Sequence, residues 1–360
     1  MKFNSPDSFC ISCPYLMFYY QQSNIINNNN NNDTNNINNN PDFSYDFVWI
    51  LRNCSVNSIN HKEFIDQLGV EALILLLNHK DYNIIRLAIS GIYNILPTAI
   101  INSIDFNTPN RLLLTKALIQ ILAIATTSKD NKSNNNTHNN NYINNIDLGL
   151  TNSLILLIIQ SLTQLTVIES MIEYIVNRTN IVELLTLLLN QEYIILLNPL
   201  LKLLMRLFEY NLSEISIQLI TIKLKWLINI IQEDNHNNNI EFKLLILKFF
   251  SQLCNNKNTT SNISIKTIFS YSGGLNLLTV WRSDLNINIR NNSLNLLINC
   301  LQDSNLLLVK DSINLINNNN YNTIEYSELI QTIVNLSKHT QNQQIRDLTE
   351  KIIQNSINQY

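Results

Sequence analysis

Apolar residues recur at helical spacing along most of the chain. The segment from Leu154 to Leu165 is apolar around more than half of its circumference, and a helix of this kind must be covered on two sides. A second helical pattern occupies Leu112, Leu113, Ala117, Leu118, Ile121 and Leu122. Alternation of apolar and polar residues, the signal of a strand, is brief and occurs at Leu285–Ile289. The pattern therefore predicts an all-α fold of packed helices.

Asparagine-rich tracts separate these apolar segments. They cover residues 24–40, 131–145, 235–239, 255–262 and 317–322. Such tracts cannot bury apolar surface to offset the loss of chain entropy on folding, so we expect them to be disordered loops or tails. We predict a disordered tail over residues 1–42, a helical domain over residues 43–358, and a disordered insert within it at about 129–146.

The helical segments also repeat along the chain. Val70–Asn78 reappears as Val182–Asn190 with seven of nine residues identical. A four-residue motif near the end of a helix recurs as Leu51–Cys54, Ile92–Ile95 and Leu297–Cys300, and its first two copies are 41 residues apart. A period of about 40–47 residues with two or three helices indicates the armadillo or HEAT class of repeat.

Two segments resemble armadillo repeats in their details. In residues 67–94, the second helix begins at Gly69, and the third carries a small residue at Ala88 and an asparagine at Asn94. The segment Tyr271–Asn299 is similar. The resemblance implies an all-α, right-handed superhelical solenoid of about six degenerate repeats, in which each repeat buries its helices against its neighbours.

The remaining repeats are placed by resemblance and period. Phe47–Ser55 resembles the third helix of an incomplete first repeat. The period places further repeats at residues 97–167, 168–210 and 212–256, and a closing helical pair at Tyr326–Ile357.

We expect two kinds of residue to serve the fold. Gly69 and Gly274 would allow a tight turn between the first and second helices, where a side chain would add conformational strain. Trp49, Trp226 and Trp281 lie on apolar helical faces, and we expect all three to pack in the core.

The resemblance also implies a binding surface. In armadillo proteins, an asparagine near the end of the third helix lines the concave groove and hydrogen-bonds the backbone of an extended peptide, a task that suits an amide because it both donates and accepts. The corresponding positions here are Asn53, Asn94, Ser161, Arg206, Gln252 and Asn299. We predict a partner-binding ladder made of Asn53, Asn94, Asn299, Gln252 and Arg206. A structural role for the asparagines stays open, because about one residue in six of the whole chain is asparagine.

The charge balance narrows the choice of partner. The chain carries 24 Lys+Arg and 27 Asp+Glu, for a net charge of −3, and its basic residues form no cluster. Nucleic-acid binding depends on lysine and arginine contacts to phosphate, so this composition disfavours it. Polar residues interrupt the apolar runs, so we expect no membrane span. Five cysteines, three of them in helical patterns, are typical of a reducing compartment, so we expect an intracellular protein of the cytoplasm, the nucleus or both.

No motif indicates catalysis, a metal or a cofactor. Cys10 and Cys13 form a lone CxxC, and a structural zinc would need two further ligands at set spacing. Glycine-rich phosphate loops, the nucleophile elbow and the HExxH zinc motif do not occur in the sequence. We therefore expect a protein that is not an enzyme and has no small-molecule substrate.

Three functions are compatible with such a solenoid. We favour a non-catalytic scaffold or adaptor whose concave groove binds an unidentified protein partner. The first alternative is an exchange-factor-like regulator of a GTPase or chaperone ATPase, and the second is a helical-repeat RNA-binding protein. Ser90 and Asn295 stand where cargo-binding armadillo proteins often carry a tryptophan, which argues against a site like that of a nuclear import receptor.

Overall fold

The residues that the structure describes form helices almost throughout. The computed structural model describes residues 43–66, 69–79, 81–101, 108–127, 148–210, 213–233, 239–255, 265–302 and 323–357. These described residues contain no strand, and the predicted all-α class is confirmed. The predicted tail, residues 1–42, lies outside the described residues, and so do Cys10 and Cys13 within it. The predicted insert at 129–146 also lies outside the described residues.

The chain divides into two compact units, Met1–Leu184 and Leu185–Tyr360. The helices before the boundary are α1 Phe43–Cys54, α2 His61–Asp66, α3 Gly69–Leu76, α4 Tyr82–Ile101, α5 Thr108–Thr127, α6 Leu148–Leu165 and α7 Glu169–Arg178. The boundary lies inside α8, which is Ile181–Leu188. The helices after it are α9 Leu197–Phe208, α10 Glu214–Ile222, α11 Leu224–Glu233, α12 Ile240–Cys254, α13 Ile265–Tyr271, α14 Gly274–Trp281, α15 Ile287–Leu301, α16 Thr323–His339 and α17 Gln343–Ile357. Short 3-10 segments occur at Ser58–Asn60 and Gln191–Leu196.

The first unit is built on a row of long helices. Helix α1 packs against α4, and α4 packs against α6. Helix α3 covers α4 from the side, and α5 covers α6. Residues at the contacts, such as Leu51, Ile92 and Ile158, have less than 2% of their surface exposed. The order of α2, α3 and α4 is a short helix, a second helix that begins at glycine and a long third helix, which is the order of an armadillo repeat.

The second unit has the same construction. Helix α9 packs against α12, α12 against α15, and α15 against α17, while α14 lies against α15 and α16 against α17. A row of phenylalanine rings fills its core. The ring centroids of Phe208 and Phe249, Phe249 and Phe250, and Phe250 and Phe269 are 5.8, 5.8 and 4.9 Å apart. Aromatic contacts of this kind add to area burial, so the rings tie α9, α12 and α13 into one core.

Asparagine has a local role at the ends of several helices. The side chain of Asn239 accepts a hydrogen bond from the backbone N–H of Phe242 at the start of α12. Asn286 accepts from the N–H groups of Asn288 and Ile289 at the start of α15. A side-chain oxygen at this position satisfies N–H groups that have no partner inside the helix. The asparagine tract at 235–239 therefore ends in a residue that starts a helix.

The glycines at the helix starts have a different role from the one that the sequence predicts. Gly273 is the residue with a left-handed backbone, at φ +93°, and neither Gly69 nor Gly274 has a positive φ. A Cβ atom on Gly69 would overlap the ring of Phe64, and one on Gly274 would overlap the ring of Phe269. The predicted backbone reason is therefore wrong for both residues. Each glycine is needed because a phenylalanine ring five residues earlier lies directly on it.

The three tryptophans differ in burial. Trp281 is 3% exposed, as expected of a core residue, and Trp226 is half-buried. Trp49 is 53% exposed, so its predicted core packing is wrong. The neighbours of Trp49 on α1, Val48 and Leu51, face α4 and are buried, and Trp49 lies on another side of this helix.

Two stretches are long and apolar enough to cross a membrane, judged by length and composition alone. They are Tyr82–Ile100 and Ile215–Gln232. In the described fold, 56% of the first and 44% of the second is buried against other parts of the protein. Core helices pass the same test, so these stretches are weak support for a membrane span.

Candidate functional site

The predicted ladder positions of the first unit lie on the row of long helices α1, α4 and α6. Asn53 Oδ1 accepts a hydrogen bond of 3.0 Å from Arg52 Nη1. Asn94 Nδ2 donates to Ser55 Oγ at 3.3 Å, which links α4 to the end of α1. The side chain of Ser161 is fully buried, and its hydroxyl has no partner among the described residues. Of these three side chains, only that of Asn94 therefore connects one helix of the row to the next.

A buried histidine adds further hydrogen bonds near Asn94 and Ser55. His61 is 5% exposed, and its Nδ1 lies 2.6 Å from Thr98 Oγ1 while its Nε2 lies 2.8 Å from the backbone oxygen of Ser55. The Ser55 hydroxyl donates to the backbone oxygen of Arg52 at 2.6 Å. One side chain on α2 therefore joins both α1 and α4, so the polar cluster around Asn94 belongs to the framework of this unit.

In the second unit the predicted positions are Arg206 on α9, Gln252 on α12 and Asn299 on α15. Arg206 Nη1 forms an ion pair of 3.0 Å with Glu209, the residue directly after α9, and both side chains are more than 40% exposed. Gln252 and Asn299 lie on neighbouring helices that pack together, and both line the same groove.

This groove is the candidate site. It lies between α12 and α15 and has a volume of about 730 Å³. Its lining residues are Leu244, Leu247, Lys248, Ser251, Gln252, Asn255, Asn288, Asn292, Asn295, Leu296 and Asn299. Six of these eleven residues carry side-chain amides. The structure therefore brings together two of the predicted ladder residues and adds four amides that the prediction did not include.

Four of the amides form one stripe on α15. Asn288, Asn292, Asn295 and Asn299 follow each other at intervals of four, three and four residues, which places them on one face of a helix. The first three are exposed. The stripe was not predicted, although its spacing is readable from the sequence. Asn295 was compared only with the tryptophan position of cargo-binding armadillo proteins.

The amide of Asn299 is held in one orientation. Lys266 Nζ donates to Asn299 Oδ1 at 2.8 Å, and Asn299 Nδ2 donates to Asn255 Oδ1 at 2.7 Å. Asn255 Nδ2 in turn lies 3.4 Å from Ser251 Oγ. Because an ammonium group only donates hydrogen bonds, the oxygen of Asn299 must face Lys266. A chain of donors thus crosses the end of the groove and fixes its amides.

The floor of the groove is apolar and chemically inert. Leu247 and Leu296 are 2% and 3% exposed. Cys254 on α12 and Cys300 on α15 are also buried, and a hydrogen bond with Cys300, together with burial, raises the pKa of the Cys254 thiol well above its ordinary value. A thiol with a raised pKa stays protonated and is a poor nucleophile. Gln252 Oε1 is buried in the same region with no hydrogen-bond partner among the described residues.

The described residues contain no group of three or more His, Cys, Asp and Glu side chains that could hold a metal ion. What the groove offers is hydrogen-bond donors and acceptors around an apolar floor. Such a surface can recognise a polar chain that has both kinds of group, such as a polypeptide backbone.

No protein-family model matches the chain, and no curated protein sequence matches it. Among solved structures, the chain is similar to a designed armadillo repeat protein, with 14% identity, a TM-score of 0.45, and coverage of 73% of this chain and 96% of that chain. It is also similar to an engineered protein from the Northeast Structural Genomics Consortium, with 12% identity, a TM-score of 0.45, and coverage of 86% of this chain and 74% of that chain.

Proposed function

We propose that the chain is a non-catalytic interaction module that binds an extended segment of a protein partner in the groove between α12 and α15. The observation that supports this is the lining of the groove, in which six amides surround two buried leucines. Each amide offers a donor and an acceptor, and a peptide backbone presents both kinds of group along its length.

The length of the amide stripe fits a short segment. Asn288 and Asn299 are eleven residues apart on α15, which corresponds to about 16 Å along a helix axis. An extended chain advances about 3.3 Å per residue, so roughly five residues of a partner would lie along the stripe. The apolar floor would accommodate a side chain of this segment and exclude water from the hydrogen bonds.

The groove can be tested without knowing the natural partner. The full chain would be used to select binders from a random displayed peptide library, and selected peptides would be measured by fluorescence anisotropy. In the variant Asn292→Ala with Asn295→Ala, we expect affinity for these peptides to fall at least tenfold. Both residues are exposed, and their side chains make no hydrogen bond within the described residues, so thermal unfolding should not change.

Matched controls separate the groove from general surface effects. Asn229 on α11 and Asn276 on α14 are also exposed asparagines, and neither lines the groove. Changing both to alanine should leave peptide affinity unchanged. Selected peptides that bind the Asn292 and Asn295 variant as tightly as the wild type would show that this groove is not the binding site.

A further inference from the structure

The groove between α12 and α15 has one ionised side chain in its lining, that of Lys248. Lys248 is exposed and forms no ion pair or hydrogen bond with any residue that the structure describes. Two other cations of this unit, by contrast, are paired: Lys243 with Asp284 at 2.6 Å, and Arg206 with Glu209 at 3.0 Å. Lys248 is therefore an uncompensated positive charge on a surface of neutral amides.

The position of Lys248 on α12 places its charge among the groove residues. Leu244 and Leu247 precede it by four and one residues, and Ser251 and Gln252 follow it by three and four, so all lie on adjoining parts of one helix face. The acidic residue of this helix is Glu241, which lies seven residues before Lys248, or about 10 Å away along the helix axis. Charges this far apart at the surface are largely screened by salt.

A segment that covers the groove changes the surroundings of this charge. Removing water from an ammonium group is unfavourable unless an opposite charge replaces the lost hydration. None of the lining residues is acidic, so the groove itself supplies no such charge. The bound segment has to supply it.

A second cation reinforces the same sign of charge. Lys266 donates to the neutral oxygen of Asn299 and to no carboxylate among the described residues. Its ammonium charge at the end of the groove is therefore solvated or shared with an amide, not neutralised. Neither lysine is neutralised by a carboxylate among the described residues, so a basic segment placed beside either of them would be repelled.

We propose that the groove selects an extended segment that carries an acidic side chain, and that Lys248 forms the ion pair with that side chain. This inference rests on the proposed function, because it names the partner chemistry of the same site. Two cations are few for a nucleic acid, because the affinity of such complexes comes mainly from many lysine and arginine contacts to phosphates. A protein segment needs only one ion pair, that of its acidic side chain with Lys248, because the amides of the groove form hydrogen bonds with its backbone.

Sequences from a random displayed peptide library, selected on the full chain, give the first test. Peptides whose binding is sensitive to the change of Asn292 and Asn295 to alanine should share Asp or Glu at one position. The variant Lys248→Glu should instead select peptides with Lys or Arg at that position. Groove-binding peptides with no acidic preference would overturn the inference while the proposed function stands. A failure to obtain any groove-dependent peptide would overturn both.

A double-mutant cycle gives the second test. Lys248→Gln should weaken binding of a selected acidic peptide about tenfold at low ionic strength, and Glu→Gln in the peptide should do the same. The two changes together should cause little further loss, because they remove one shared interaction. Lys62→Gln, at an exposed position of α2, is the matched control and should have no effect. Additive losses would overturn the ion pair.

A single-stranded RNA 20-mer serves as the competing probe. The inference expects weak binding of this RNA that Lys248→Gln barely changes. An RNA complex that is tighter than the peptide complexes, depends steeply on salt and is lost in Lys248→Gln would show that the charge serves nucleic acid instead.

Discussion

Lys243 Nζ lies 2.6 Å from Asp284 Oδ2 and joins α12 to the turn between α14 and α15. The two side chains are only 12% and 15% exposed, and the ammonium group also lies 5.7 Å from the centre of the Trp281 ring. Asp284 Oδ1 accepts a further hydrogen bond from the backbone N–H of Asn286 at 2.9 Å. One carboxylate therefore connects consecutive repeats and shapes the turn that leads into the amide stripe.

This pair makes the stability of the protein depend on pH in acid. The hydrogen bond with Lys243 lowers the pKa of Asp284 below its usual value, so the folded state binds this proton more weakly than the unfolded state. The stabilisation is complete above the unfolded pKa, about 4, and is lost as the pH falls through the folded pKa.

We therefore expect Asp284→Asn to lower the free energy of unfolding by about 2 kcal/mol at pH 7. The difference from the wild type should shrink below about pH 4. Urea unfolding followed by circular dichroism at pH 7 and at pH 3 measures both values. Asp66→Asn, at an exposed position of α2, is the control. A difference that stays constant from pH 7 to pH 3 would show that the Lys243 contact does not stabilise the fold.

The contact between Gly274 and the ring of Phe269 predicts an effect opposite to helix propensity. Alanine is a better helix former than glycine, yet a Cβ on Gly274 would overlap the ring. We expect Gly274→Ala to lower the free energy of unfolding by about 2 kcal/mol, as overpacking does. Urea unfolding measures this, with Asn276→Ala at an exposed position of α14 as the control.

A second substitution tests whether the ring is the cause. Phe269→Leu removes the overlapping atoms. Gly274→Ala should therefore lower the free energy of unfolding by less in the Phe269→Leu protein than in the wild type. Gly69 and Phe64 repeat the same arrangement in the first unit, and the same pair of changes there should behave alike. Equal costs in both backgrounds would locate the strain elsewhere than in the ring.

The repeat pattern was readable from the sequence because it depends on local spacing. The phase of Asn53, Asn94 and Asn299 places them on long stacked helices, as the structure shows. Their hydrogen-bond partners were not readable. The Asn299 amide is oriented by Lys266, and the Asn94 amide reaches Ser55 on another helix. Such pairings depend on which helix faces meet in space, and this information is not local to either segment.

The carboxyl group of Glu71 makes the stability of the protein depend on pH in the opposite direction from Asp284. Its Oε1 accepts a hydrogen bond of 2.7 Å from Asn110 Nδ2, while its Oε2 is buried with no partner among the described residues. Burial raises the pKa of Glu71. The folded state therefore holds this proton more tightly than the unfolded state, and the resulting stabilisation is lost as the pH rises through the folded pKa.

We expect Glu71→Gln to raise the free energy of unfolding at pH 8 by about 1 kcal/mol. Glutamine keeps an oxygen that can accept from Asn110 and removes the buried charge. The gain should fall towards zero near pH 4. Glu71→Ala, which removes the acceptor, should not be stabilising. Urea unfolding at both pH values distinguishes these outcomes, and a Gln variant that is less stable than the wild type at pH 8 would contradict the role of burial.

Asn299 and Asn292 should respond differently to alanine, although both line the groove. Removal of the Asn299 side chain leaves the Lys266 ammonium and Asn255 Oδ1 without their partner, so we expect the free energy of unfolding to fall by about 1 kcal/mol. Removal of the Asn94 side chain should have a similar effect in the first unit, where Ser55 loses its donor. Asn292 has no such contact within the described residues, so Asn292→Ala should leave stability unchanged.

Two measurements on the same variants separate support of the fold from contact with a partner. Asn299→Ala should lower both the urea midpoint and the affinity for a selected peptide, because the amide holds the end of the groove and also lines it. Asn292→Ala should lower affinity alone, and Asn94→Ala should lower stability alone. If Asn94→Ala weakened peptide binding more than Asn292→Ala did, the first unit would carry the binding surface, and the groove between α12 and α15 would not.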